Sequence, residues 1–410
     1  MNHLCALAKH SLALIVVCLS TGVDAAPVLR EQVLRLGPID LTPSLTISEG
    51  YNDNVFLINL DKQGSWFTQI RPSLKIGRRW NRLSLGLSYN LTDTRYASVS
   101  QNDTTNHELS SGSQWVFNHR NKLDLSGSLF FGFYPLGTGP SQGIIPTANS
   151  RPVQYTRQSN QATYQFGADG AKGNLVFNAG YTEIHYDNQT TGTIPQVISE
   201  YSTSDYYNIN LGGTFLYKVM PKTQLLVEVD DRIVKYINRQ GSNYSQFSYL
   251  LGVKWKAAGK TSGTIKLGIY DAQPDNKQFK TNIGFTGLAE VVWQPWTYSG
   301  FTLSASQSNL PSFGSNTGAY INYKSFSLGW LHSWNHRLSS QLQLRAGTQD
   351  YVGTTPEINT TLLGVSFGLN YQMRPWLGFG LNYTYNRRDS TRENWNYDQN
   401  MMLLNVNLAL

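Results

Sequence analysis

From Leu41 onward the chain repeats one unit, about ten residues that alternate apolar and polar and end in a turn. The clearest case sets Leu83, Leu85, Leu87, Tyr89 and Leu91 against Ser84, Gly86, Ser88 and Asn90. Successive side chains of a strand point to opposite faces, so this spacing puts five apolar groups on one face and small polar groups on the other; a helix cannot do so. The period returns at Tyr207, Ile209, Leu211, Gly213 and Phe215, at Leu363, Val365, Phe367, Leu369 and Tyr371, and at Leu377, Phe379, Leu381, Tyr383 and Tyr385. Counted along the chain it predicts eighteen strands, the first near residues 41–48, the thirteenth near 298–307 and the last over 397–410. The alternation is weakest around residues 237–280.

The connections alternate in length. Short turns centre on Arg79-Trp80-Asn81, His119-Arg120-Asn121, Asp169-Gly170-Ala171, Met220-Pro221, Ala258-Gly259, Gln294-Pro295, Trp334-Asn335 and Arg374-Pro375. Longer links rich in Gly, Ser, Asn and Thr lie between them, the longest being Tyr134 to Tyr155 and Asp187 to Thr203. This is the signature of an all-β, antiparallel transmembrane β-barrel of the outer membrane, with short periplasmic turns and long extracellular loops. Trp80, Trp115, Trp255, Trp293, Trp296, Trp334 and Trp376 sit in or near the short turns, where indole rings would mark the periplasmic headgroup level.

Composition agrees. Charged residues are 14%, and the chain has 24 Tyr and 10 Trp, yet its mean hydropathy is negative. Apolar residues must therefore be spread through polar sequence, as in a wall with lipid outside and water inside. The start reads as a secretory signal peptide over residues 1–25, with Lys9 and His10 before an apolar run from Leu12 to Leu19 and small residues up to Ala25. Residues 26–40 are then a periplasmic lead and 41–410 the barrel. Both cysteines, Cys5 and Cys18, fall inside that signal, so no disulfide or thiolate metal site is expected downstream. The formal charge of +7 comes from scattered residues with no phosphate-tracking run, which argues against nucleic acid as a partner.

Residues Leu36 to Phe56 read Leu-Gly-Pro-Ile-Asp-Leu-Thr-Pro-Ser-Leu-Thr-Ile-Ser-Glu-Gly-Tyr-Asn-Asp-Asn-Val-Phe. This stretch resembles the opening strand and first loop of outer-membrane β-barrel proteins found with exopolysaccharide and capsule biosynthesis genes, a family described as a putative β-barrel porin. The resemblance implies a barrel that assists export or assembly of a secreted polysaccharide, with outer-membrane lipid, the polysaccharide and export components as partners. A general or substrate-specific diffusion porin for small solutes is the alternative, because barrels of this strand number can leave an aqueous channel. A surface protein that binds partners through its loops is a third reading.

No enzyme chemistry, cofactor or metal is expected. His185 lies near Asp187, but no Gly-x-Ser-x-Gly elbow supplies a nucleophile. Asn52-Asp53-Asn54 fits a turn better than a calcium loop. The charges that matter are those in lumen phase: Arg71, Lys75, Glu228, Asp230, Arg232, Lys266, Glu290 and Arg345 alternate with apolar residues and should point inward. The loop from Tyr134 to Tyr155 holds Gly137, Gly139, Pro140, Gly143 and Pro146, which disfavour strand. It is expected to fold across the mouth as a constriction, burying Ile144 and Ile145 against the inner wall.

Overall fold

The computed structural model describes residues 33–147, 150–187, 204–257, 260–276, 281–312 and 317–409. The expected signal peptide, the Ala258-Gly259 turn and most of the Asp187–Thr203 link lie outside the described residues.

Among the described residues nineteen strands form one sheet. They are β1 (Leu34–Leu36), β2 (Ile39–Asn52), β3 (Ser65–Arg79), β4 (Leu83–Tyr96), β5 (Thr104–Asn118), β6 (Asn121–Tyr134) and β7 (Val153–Phe166). There follow β8 (Gly173–Tyr186), β9 (Tyr206–Met220), β10 (Thr223–Tyr236), β11 (Tyr244–Ala257), β12 (Thr261–Pro274) and β13 (Asn282–Trp296). The last are β14 (Ser299–Pro311), β15 (Tyr320–Ser333), β16 (Leu338–Val352), β17 (Ile358–Arg374), β18 (Leu377–Ser390) and β19 (Tyr397–Ala409). Strands adjacent in sequence pair antiparallel, and β19 returns to pair β2 from Met401–Asn52 to Ala409–Ser44. The wall is thus a closed barrel of eighteen strands, β2 to β19. The extra strand, β1, pairs only with the start of β2 through a turn at Gly37, whose φ of +60° suits glycine. The end of the expected lead is therefore a small hairpin on the periplasmic rim, and the first barrel strand begins at Ile39 rather than Leu41.

The strands are longer than the apolar alternation suggested, reaching 17 residues in β17. Alternation marks only the part in contact with lipid, whereas the hydrogen-bond ladder continues above it into water. On the lipid side Leu85, Leu87, Val227, Leu251, Leu267, Phe326 and Leu404 are exposed. Trp80, Trp115, Trp293, Trp296, Trp334 and Trp376 are exposed near the short turns. At the closing seam the inner face is joined by Ser48 donating to Asn405 at 2.6 Å and Thr46 donating to Asn407 at 2.9 Å.

The strands tilt, as closure requires. The row of partners Ser44, Ser73, Asn90, Glu108, Phe130, Arg157, Ile184 and Tyr206 starts in the periplasmic half of β2 and ends on the first residue of β9, at its loop end. Rows therefore climb toward the extracellular mouth from β2 onward.

Candidate functional site

Because Leu211, Phe215 and Tyr217 of β9 are exposed to lipid, Tyr206 lies in the inward phase, and the same phase holds tyrosines at the loop ends of the neighbouring strands. Tyr134, Tyr155, Tyr186, Tyr206, Tyr236 and Tyr244 are buried there with Ile184 and Val234. Ring centroids are 4.2 Å apart for Tyr134 and Tyr155, and 5.7 Å for Tyr206 and Tyr236. One side of the mouth, from β6 to β12, is thus lined by packed aromatic rings.

A second structure meets this lining. β13 pairs with β14 only from Trp296–Ser299 up to Gly287–Gln307, although β13 begins at Asn282 and β14 continues to Pro311. β15 stays paired with β14 as far as Pro311–Tyr320. The free end of β14 leans into the lumen, where Arg232 donates from Nη1 to the Asn309 carbonyl at 2.7 Å and from Nε to Asn210 at 2.9 Å. Asn309, fully buried, donates to Gln246 at 3.0 Å and accepts from Asn322 at 3.0 Å; Asn322 also donates to the Tyr270 hydroxyl at 3.2 Å. The Tyr236 hydroxyl and Arg239 each donate to the Ser312 carbonyl at 3.0 Å. Pro311 offers no N–H to a ladder, which suits the point where the strand leaves the wall.

The loop between β6 and β7 crosses from the other direction. Leu136 packs with Val55, Phe56, Ile58 and Val99. Gly137, at φ +84°, lies so close to Phe56 that a Cβ would sit 1.9 Å from the carbonyl oxygen, and only glycine fits. Asn394, in the short helical turn Glu393–Trp395 before β19, donates to the Gly143 carbonyl at 3.0 Å. Ile144 packs against the tyrosine cluster. Ile145 does not join it and is 66% exposed, so one isoleucine makes the inner contact where two were expected.

The candidate charges all stand in the inward phase but form no single constellation. Lys266 pairs with Glu228 at 2.6 Å, and Thr214 donates to the same carboxylate at 3.1 Å. Asp230 lies over Gly212, where a Cβ would come within 2.1 Å of its oxygen. Arg345 donates to Ser366 at 3.0 Å. Glu290 lies between Thr264 and Ser304, with no hydrogen-bond partner among the described residues. Arg71 and Lys75 stand on β3 opposite Thr46 and Thr42, far round the wall from the β10–β13 group. Sequence reasoning missed the tyrosine lining and the Asn309 tether. Tyrosines at the loop ends of consecutive strands, in the phase opposite to the lipid residues, were a usable signal for the first.

Asn52, Asp53 and Asn54 serve the backbone: Asn54 donates to the Ile58 carbonyl at 2.7 Å, and Asp53 accepts from the Asn400 N–H at 2.7 Å. His185 meets Asp205 at 2.7 Å, on the outer face at the loop end of β8. Burial pushes the Asp205 carboxyl up from its usual range, against the opposing pull of the Tyr186 N–H and His185. A recess of about 600 Å³ lies on the lipid side, where Ser111, Gly127 and Asn160 replace bulky side chains between Leu87 and Leu125.

The model of a family described as Putative beta-barrel porin 2 matches residues 33–410. No curated protein matches the chain. Among solved structures, a BenF-like porin from Pseudomonas fluorescens Pf-5 is similar with a TM-score of 0.49 and 13% identity, over 91% of this chain and 99% of that one. OccK2 (OpdF) from Pseudomonas aeruginosa gives a TM-score of 0.47 and 13% identity over 90% and 98%. The siderophore receptor PirA from Acinetobacter baumannii gives 0.48 and 9% over 90% and 80%.

Proposed function

Since the chain belongs to the family described as Putative beta-barrel porin 2, we propose that this outer-membrane barrel is a diffusion porin, passing small hydrophilic solutes through a lumen narrowed at its extracellular end. The observation that carries the reading is the inner wall. Below the tyrosines its inward positions are polar, with Ser44, Thr46, Ser73, Asn90, Ser110, Gln114 and Asn178 among them. Several bond one another round the wall, as Ser73 does to Asn90 and Thr163 to Asn178. Yet an inner face of hydroxyls and amides keeps donors and acceptors that water satisfies, and a hydrated lumen is a path for small polar molecules. The narrowing comes from the β14 end and the β6–β7 loop, which together occupy the mouth.

Assistance to polysaccharide export is the weaker reading. It rests on the resemblance of residues 36–56, and a mouth crossed by two tethered segments suits small solutes better than a passing polymer. Liposome swelling separates the two. Reconstituted barrel should admit small sugars and amino acids at rates that fall with solute size; a barrel that admits none, together with loss of surface polymer in a deletion strain, would reverse the order.

A further inference from the structure

The inner and outer faces of the wall differ in sign. On the outer face, acidic Asp93, Asp231, Asp271, Asp350 and Asp389 gather toward the loop ends, several beside a basic neighbour such as Arg95 or Arg387. The inner face is basic at both ends. Near the periplasmic turns it carries Arg79, Lys122, Lys218, Lys254 and Lys256 against Asp40 and Asp124.

The extracellular third is more one-sided still. Arg157 lies on a row of partners with Phe130 and Glu108, and Arg345 on one with Ser327, Ser304 and Glu290. Rows climb toward the mouth in this direction, so each arginine stands above the carboxylate of its row. Arg232 likewise stands above Asp230 and Glu228 on its own strand, which runs toward the mouth. The acidic residues of the middle lumen are therefore all on the periplasmic side of an arginine level. Among the described residues no carboxylate lies within ion-pair distance of Arg157, Arg232 or Arg345. Arg157 faces the Phe130 ring at 5.5 Å, and Arg345 has the one bond to Ser366.

We propose that these arginines form a selectivity collar that makes the pore prefer small anions, with carboxylate- or phosphate-bearing solutes as the favoured class. The collar lies just below the level where the β14 end and the tyrosines narrow the passage. Low-dielectric aromatic walls focus the field of guanidinium groups that no carboxylate within ion-pair distance neutralises. A cation is repelled, whereas an anion replaces part of its hydration with the planar donors of arginine, which match carboxylate and phosphate oxygens two at a time. The basic periplasmic end keeps the potential favourable along the exit. The proposal rests on the porin reading and adds the charge class of the solute.

The test is the reversal potential of the purified, folded barrel in planar bilayers under a KCl gradient. The expected value lies toward the chloride equilibrium potential. The double variant Arg157→Gln/Arg345→Gln, which leaves the Arg232 tether in place, should shift it toward that of potassium, and the single variant Lys324→Gln on the outer face should not move it. A folded barrel with no conductance overturns the porin reading itself. Conductance with equal or cation preference overturns the anion collar alone, and so does a double variant that forms channels with an unshifted potential.

Discussion

Two segments occupy the mouth of this barrel, and they are held there by opposite means. The β6–β7 loop is fixed by apolar packing, Leu136 among Val55, Phe56 and Val99 and Ile144 on the tyrosines, with glycines where the backbone comes close. The end of β14 is fixed by hydrogen bonds, with Arg232, Gln246, Tyr236 and Arg239 gripping Asn309 and Ser312. Apolar packing is non-directional and tolerates small shifts. A charge-assisted bond to a carbonyl is directional and is lost whole when its donor goes. The β14 end should therefore behave as the more switch-like of the two.

The largest effect is expected from Arg232→Ala. It removes two guanidinium bonds, each worth about 1.5 to 3 kcal/mol when made to a charged donor, and leaves the Asn309 carbonyl without its donor. Single-channel records should show a higher or noisier open level, and a record like the parent's would mean that the β14 end needs no tether from β10. Deleting residues 137–148 comes next. It removes Gly143 and Ile144 and should raise conductance in steady fashion, without added noise; unchanged conductance would show that this loop does not bound the narrow level.

Tyr236→Phe tests one bond of the polar grip. It should cost about 1 kcal/mol, seen as a modest fall in the temperature at which the folded band is lost on a gel. The smallest contrast is Ile144→Ser against Ile145→Ser. The first should lower that temperature by the cost of losing partial apolar burial, about 1 to 2 kcal/mol, and the second should leave it alone. Equal effects would mean that the loop tip is packed differently.

The same contrast explains what could be read from the sequence. Strands such as Leu83 to Leu91 were legible because lipid on one side and water on the other impose a period of two, and the weak alternation in residues 237–280 still folds into β11 and β12. The predicted thirteenth strand stops at Gln307, where pairing of β14 with β13 also stops. What lies beyond was not legible, since a grip of arginine and amide groups on backbone carbonyls has no period. The β6–β7 loop was visible through its glycines and prolines, but no period distinguishes Ile144, packed on the tyrosines, from the exposed Ile145, in a segment whose Gly143 lies where a Cβ would come 2.4 Å from the Trp395 ring. Inward phase identified Glu228 and Lys266; their pairing depends on the register that sets β11 between β10 and β12.

The central claim is that water and small solutes pass through this wall, and single-channel recording of the purified, refolded barrel in planar bilayers tests it most directly. The account predicts discrete, reproducible conductance steps from protein shown to be folded by its altered migration on unheated gels. Folded barrel that inserts yet gives no steps, both as the full chain and with residues 137–148 removed, would contradict it.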